Sequence, residues 1–236
     1  MQTLPRPKRV AIRPLDCLRR GFASVCGDPL PFAGVGALVA VGSLVPFGLL
    51  LGPFLAGAHL FLMDHRRRSA PGAGRVFDGL QDFVQAWLAI VLHMVASMVV
   101  VFGCYAFFFV CGMLAFGLDL DHAVVVALAV AAMSVLFLVM IALYVPFGFA
   151  PGLVAERRLS GLDAVRVSAR AARLNFGGLF ALWLLMYALC FAGLLLCVVP
   201  FFFVFPACLA ALFEAFRRVF GEELETPAPA DDPLAP

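Results

Sequence analysis

FVQAWLAIVLHMVASMVVVFGCYAFFFVCGMLAFGL, residues 83–118, holds no Lys, Arg, Asp or Glu. It is far longer than the ~20 apolar residues that carry a helix across a bilayer. Three more blocks read the same way: Leu30–Met63, Ala123–Ala155 and Phe176–Phe213, all free of Lys and Arg. The 17 basic residues all lie outside the four blocks. The 236-residue chain is 64% hydrophobic and 14% charged, with a mean hydropathy of +1.02. That leaves too little polar surface for a soluble globule of this size. The reading is an all-α, polytopic helical membrane protein with a membrane domain over residues 30–218. It is flanked by a cytoplasmic N-terminal segment, 1–29, and an acidic, Pro-rich tail, 219–236. Five carboxylates and four prolines between Gly221 and Pro236 make the tail too polar to pack, so it is expected to be disordered. Residues 1–30 hold no unbroken apolar core and no small-residue cleavage pattern, so the first block is expected to act as an uncleaved insertion signal.

The basic residues form four groups. Arg6, Lys8, Arg9, Arg13, Arg19 and Arg20 precede the first block; Arg66, Arg67, Arg68 and Arg75 follow it. Arg157, Arg158, Arg166, Arg170 and Arg173 separate the third and fourth, and Arg217 and Arg218 close the fourth. Short cytoplasmic loops concentrate Lys and Arg, so all four groups are expected on the cytoplasmic side. The first and fourth blocks must then enter and return on that side. Gly42-Ser43, Pro46-Phe47-Gly48 and Gly52-Pro53 offer turns in the first, and Pro200 and Pro206 in the fourth, because proline removes a helical donor and clashes with the preceding turn. Blocks two and three each cross once, joined outside at residues 117–122. About six membrane segments result, with both termini cytoplasmic; the first block barely supplies two spans, which leaves a half-crossing open for one arm. Four single tilted spans would instead put Arg66–Arg68 outside, against the charge bias.

Three stretches outside the blocks have amphipathic spacing: Leu15, Leu18, Phe22 and Val25; Val76, Leu80 and Phe83; and residues 160–174. In the last, Ser160 and Asp163 fit a capping box, and Arg166, Arg170 and Arg173 share a face suited to anionic headgroups. A weak repeat relates Leu15-Asp16 through Arg66–Arg68 to Leu162-Asp163 through Arg217-Arg218, as two parallel copies around a central hairpin.

Intramembrane ionisable residues are where function is sought first, and here they are scarce. The second and third blocks hold no Asp or Glu, and the fourth has only Glu214 at its end. His59 and His93 are the imidazoles at membrane depth. This argues against a carboxylate proton relay and against paired-acid or metal hydrolysis; no H-E-x-x-H, G-x-S-x-G or phosphate loop occurs. No catalytic, cofactor-binding or metal residues are therefore assigned, and no enzyme activity is expected. His93 shares a small face with Ala86, Ala89, Ser97, Cys104 and Cys111, within about 40° at helical pitch. It either lines a path or, as the blander reading, bonds across a helix interface. Ala123, Ala127, Ala131 and Ser134 form a partner-like stripe, as do Gly48, Gly52 and Ala56. Trp183, Cys190 and Cys197 share one face. The seven cysteines form no C-x-x-C pair and read as packing residues. Asp119, Asp121 and His122 read as a solvated external turn in preference to a cation site.

Three stretches carry a resemblance: residues 52–57 (GPFLAG), 77–83 (FDGLQDF), and 162–168 (LDAVRVS) followed by Asn175-Phe176. Across most of residues 14–218 the chain resembles uncharacterised bacterial multi-span proteins similar to the membrane domain attached to some glycerophosphodiester phosphodiesterases. The resemblance implies a six-helix membrane domain in the bacterial inner membrane, without the soluble phosphodiesterase domain and its catalysis. The expected role is a non-catalytic scaffold or accessory subunit, with membrane lipids and other membrane proteins as partners and no nucleic acid. The alternative is a carrier or permease for a lipid or other apolar molecule. A solid bundle would favour the scaffold; a cavity lined by Phe107–Phe109, His93 or Phe201–Phe203 would favour the carrier.

Overall fold

The first apolar block folds back on itself. Helix α1 (Pro14–Gly27) meets α2 (Pro29–Leu44) at a bend of 111°, where Pro29 cannot continue the ladder of α1. Helix α3 (Leu51–Arg66) then returns antiparallel to α2. Phe32, early in α2, lies edge-on to Phe61 at 5.2 Å and to His65 at 5.0 Å near the end of α3, while Gly42 meets the Phe54 ring. A 3-10 helix (Ala73–Asp82) leads into α4 (Phe83–Gly117) and α5 (His122–Tyr144). A second 3-10 turn (Val145–Phe147), α6 (Ala150–Arg157), α7 (Gly161–Leu174), α8 (Phe176–Leu196) and α9 (Val198–Glu225) follow.

The structure, a computed structural model, describes residues 5–44, 49–67, 71–117, 121–196 and 198–225, and these contain helices and no strands. Pro46-Phe47-Gly48, Arg68, Asp119, Cys197 and the tail beyond Glu225 lie outside the described residues. Helix α9 carries regular structure through Val219 to Glu225, into the stretch assigned to the tail.

Among the described residues, four helical segments are long and apolar enough to cross a membrane: Ala73–Leu114, His122–Arg157, Phe176–Leu195 and Pro200–Gly221. Helices α2 and α3 have 16 residues each, short of the ~20 a perpendicular crossing needs. The fourth block divides between the end of α8 at Leu196 and the start of α9 at Val198, close to Pro200 and not at Pro206. Pro200 sits in the first turn of α9, where its missing N–H is no loss, while Pro206 is carried inside the helix.

The short helices dock on protein along faces shifted from the expected stripes. Helix α1 buries Cys17, Leu18, Gly21 and Val25 against α9, leaving Leu15 72% exposed. The 3-10 helix buries Val76 and Gly79 on α3 and leaves Phe77 and Leu80 outward. Helix α7 buries Ala164, Val167, Ser168 and Ala171, with Arg166, Arg170 and Arg173 on its exposed side. The Ser160 hydroxyl oxygen accepts from the Asp163 N–H at 3.2 Å and donates to the Asp163 carboxylate at 2.7 Å, so Ser160 caps α7 as one half of the expected box.

These dockings reveal three units where the sequence suggested two copies and a hairpin. Each unit is a short helix followed by apolar helices: α1–α2–α3, the 3-10 helix with α4–α5–α6, and α7–α8–α9. Each short helix packs on the end of the preceding unit, cyclically: the 3-10 helix on α3, α7 on α6 and the turn before it, α1 on α9. Backbones touch at these joints. A Cβ on Gly79 would lie 2.0 Å from the Pro53 carbonyl oxygen, and one on Gly21 would lie 2.3 Å from that of Ala207. The sequence carries the same mark three times, as Val45-Pro46-Phe47, Val145-Pro146-Phe147 and Val199-Pro200-Phe201. In the middle unit the tripeptide falls after α5, so α4 and α5 extend beyond the body. Met98, Phe102, Phe109, Val130 and Phe137 are exposed there. The stripe Ala123, Ala127, Ala131 and Ser134, expected to pack, is exposed as well, with no helix among the described residues covering it.

Basic residues gather at the body end. Arg20 and Arg66 both reach Glu214 of α9, at 3.5 and 2.7 Å, one turn from Arg217 and Arg218. Arg75 pairs with Asp64 at 2.7 Å and with Asp78. The N-terminal segment is tied to the same end. The Val10 N–H donates to Asn175 Oδ1 at 2.8 Å, and the Asn175 amide donates to the Lys8 carbonyl at 3.0 Å.

Candidate functional site

Where the three units meet, the helices leave a cavity of about 560 Å³. Helix α3 forms one wall. Its small residues Ala56, Gly57 and Ala58 are buried and let it approach its neighbours closely, while Leu51, Leu55 and Leu62 face the space. Ile90, His93 and Met94 come from α4, Tyr144 from α5, and Trp183, Met186, Tyr187 and Cys190 from α8; Phe201, Phe205, Leu209 and Phe213 come from α9. Among the described residues no Lys or Arg lines it. Ser43, exposed at the end of α2, marks one rim, and buried Phe216 marks the opposite depth.

Two imidazoles face this space. His59, on α3, makes a 2.9 Å contact from Nε2 to Glu156 Oε1 on α6; the side chains are only 10% and 4% exposed. With Glu156 ionised, Nε2 carries the proton and donates to the carboxylate. Gly152 makes room, since a Cβ there would stand 2.6 Å from the His59 ring. The rings of Phe213 and Phe216 meet His59 edge-on at 4.9 and 4.6 Å. A charge-bearing pair is thus held in an apolar shell, an arrangement that requires both partners to be present.

His93 sits on the wall. Ala86 and Ala89 on its face are buried, Ser97 and Cys104 are half-buried and Cys111 is exposed, so the small face packs only along its first turns. The expected bond across a helix interface is not formed. Nε2 lies 3.5 Å from Ser97 Oγ, one turn on in the same helix, and Nδ1 is buried without a hydrogen-bond partner. Its ring neighbours are Tyr144 at 4.2 Å and Phe147 at 4.8 Å. Tyr144 continues the aromatic wall to Trp183 at 5.5 Å and Tyr187 at 5.7 Å.

Several sequence-level candidates take other places. Phe107 and Phe109 are exposed on the α4 extension, away from the cavity. Asp121 caps α5, accepting from the Ala123 N–H at 3.0 Å. Gly52 packs on the α4 backbone, and Cys190 faces Cys208 across α8 and α9 with sulfurs 3.8 Å apart. The cysteines among the described residues are free thiols, and no cluster of three or more metal-ligating side chains occurs there.

Glu156 went unrecognised in the sequence because it follows the third block by one residue and reads as the start of a loop. A signal was present, since Val145-Pro146-Phe147-Gly148 repeats Val45-Pro46-Phe47-Gly48, whose Pro and Gly suit a turn by residue type. That repeat implies a break and a separate helix carrying Glu156 back into the body. No family model, curated protein or solved structure matches the chain.

Proposed function

We propose that this protein is a membrane-embedded binder and carrier of an apolar small molecule, with the central cavity as its site. The cavity carries the reading. It is built at the junction of three units, its surface is almost wholly apolar, and it includes His93 and Phe201, the residues whose placement separates a carrier from a solid scaffold. A concave, largely apolar space with a few convergent polar groups is the usual form of a small-molecule site. Carriage by a protein built of repeated units, with the site where the units meet, has precedent in transporter architecture generally. No reaction is assigned to the His59–Glu156 pair, whose apolar enclosure suits a positioning role.

The accompanying topology has the arginine-rich end of the body in the cytoplasm, both termini with it, and six membrane segments. Helices α4, α5, α8 and α9 are complete crossings, and α2 and α3 are two shorter arms of a hairpin. The proposed location is the bacterial inner membrane. Clustered arginine at one end supports this orientation, because positive loops resist translocation.

Purification in mild detergent, followed by mass spectrometry of extracted small molecules, tests the carrier reading. A molecule co-purifying near one per chain with the wild type, and lost in Leu209→Trp, is expected, since the indole would fill the space. Identical extracts from both proteins would overturn the reading.

A further inference from the structure

We infer that the cavity takes a lipid alcohol, an uncharged molecule with one hydroxyl on an apolar body, whose O–H donates to His59 Nδ1. The inference rests on the carrier reading and narrows it to one kind of cargo. Charge sets the first limit. No Lys or Arg lines the cavity among the described residues. A phosphate or fatty-acid headgroup brought here would be a buried anion with no cation to meet it, which is costly.

His59 sets the second. Its Nε2 is committed to Glu156 at 2.9 Å, and the bond made by one imidazole nitrogen fixes the state of the other. With the proton on Nε2, Nδ1 of the neutral ring is a bare acceptor. Among the described residues no donor bonds to Nδ1, since the ring's hydrogen bond is the one to Glu156. The side-chain nitrogens sealed without a partner are Trp87 Nε1, His93 Nδ1 and Arg157 Nε. His59 Nδ1 is not among them, and His59 belongs to the cavity wall, so its lone pair opens on the space. Buried polar groups in proteins are almost always satisfied, and this one calls for a donor from the ligand. Esters, ketones and ethers have none. An ammonium has three, and a single lone pair in an almost wholly apolar wall strands the rest. A hydroxyl has one donor for the one acceptor.

Position sets the third. His59 lies at the closed end of the cavity, 4.6 Å from the Phe216 ring, and about two turns from Arg66 on α3. Ser43 marks the rim. A hydroxyl on His59 therefore sits at depth, with its hydrocarbon running along α9 past Leu209, Phe205 and Phe201, one turn apart on one face. The polar end then points toward the arginines and the chain toward the bilayer interior. A lipid alcohol already has that orientation in the cytoplasmic leaflet of the proposed topology.

The probes are oleyl alcohol, oleyl methyl ether, oleylamine and sodium oleate, each added to the full chain in mild detergent and counted as bound mass by native mass spectrometry. The alcohol should bind near one per chain and about tenfold tighter than the ether, the contribution of one hydrogen bond. Oleylamine and oleate should bind no better than the ether. In His59→Phe/Glu156→Leu, which removes the acceptor without stranding the carboxylate, alcohol and ether should bind alike. In wild type labelled with nitrogen-15 histidine, the His59 Nδ1 resonance should move when the alcohol binds and stay in place with the ether, a measurement that needs no variant.

Equal affinity of alcohol and ether for the wild type, or an unmoved Nδ1 resonance with the alcohol bound, overturns the inference. So does a preference for the alcohol that survives in the double variant, or tighter binding of oleylamine or oleate. Should the double variant fail to fold, the Nδ1 resonance decides. If the alcohol does not bind while another molecule co-purifies with the wild type and is lost in Leu209→Trp, the hydroxyl class is wrong and the carrier reading stands. If no small molecule binds or co-purifies, both fall.

Discussion

His59 and Glu156 are 97 residues apart in the chain and 2.9 Å apart in space. A carboxylate with a 4% exposed side chain is tolerable only while its donor is present, because the cost of removing one partner from a buried pair exceeds the net worth of the pair. His59→Phe preserves the ring contacts with Phe213 and Phe216 but strands the carboxylate, and is expected to destabilise the fold by about 3 kcal/mol. Adding Glu156→Leu should recover most of that loss. A double-mutant cycle of denaturant unfolding in detergent measures both, and a double variant no more stable than His59→Phe would show that the pair is not the source of the cost. His93 presents the opposite case. It touches the rings of Tyr144 and Phe147 and has an unpartnered nitrogen, so its replacement by Leu removes no cross-helix bond, and stability should change by less than about 1 kcal/mol. Residue types alone pointed to these imidazoles as the polar groups at depth. They did not distinguish the paired one from the unpaired one, which depends on what α5 and α6 bring alongside.

At the scale of elements, backbone-to-backbone joints set the positions of the short helices. Gly79 leaves no space for a side chain, with the Pro53 oxygen at 2.0 Å and the Gly57 nitrogen at 2.5 Å from where its Cβ would stand. Gly79→Ala must push the 3-10 helix off α3, at an expected cost of about 1–3 kcal/mol. Gly103, on the α4 extension, has nothing within 4 Å, so Gly103→Ala should be neutral or stabilising by up to about 1 kcal/mol through helix propensity. Thermal unfolding of the two variants side by side checks the contrast; equal melting temperatures would argue against the joint. Helix existence was readable from apolar runs and from proline. The antiparallel return of the first block was readable from the charge on either side of it, and the α7 start from Ser160; but of the turns expected in that block, Gly42-Ser43 lies in α2 and Gly52-Pro53 in α3, and Pro46-Phe47-Gly48 lies outside the described residues. The face each short helix buries was misread at Leu15 and Leu80. Apolar spacing marks a stripe but does not say whether lipid or α9 covers it. The glycine that permits a backbone joint has no side chain to register in the pattern.

For the whole molecule, three units in cyclic contact put the arginines at one end and the cavity between the units. The proposed orientation is tested by Arg67→Cys in an otherwise Cys-free chain. An impermeant maleimide added to intact cells should leave it unlabelled and should label it once the membrane is opened. Labelling from outside would reverse the orientation and remove the case for six segments. Composition and charge placement determined by themselves that the chain is helical and membrane-compatible, and that its first block folds back on itself. Those properties come from local runs: apolar side chains partition into hydrocarbon, proline interrupts the ladder, and arginine gathers in loops. Tertiary structure alone decided that Glu156 meets His59, and that a cavity stands where a solid core was equally compatible with the sequence. Each of these depends on how closely backbones approach, which is set by several glycines and alanines acting together across helices distant in the chain. No local window of residues carries that information.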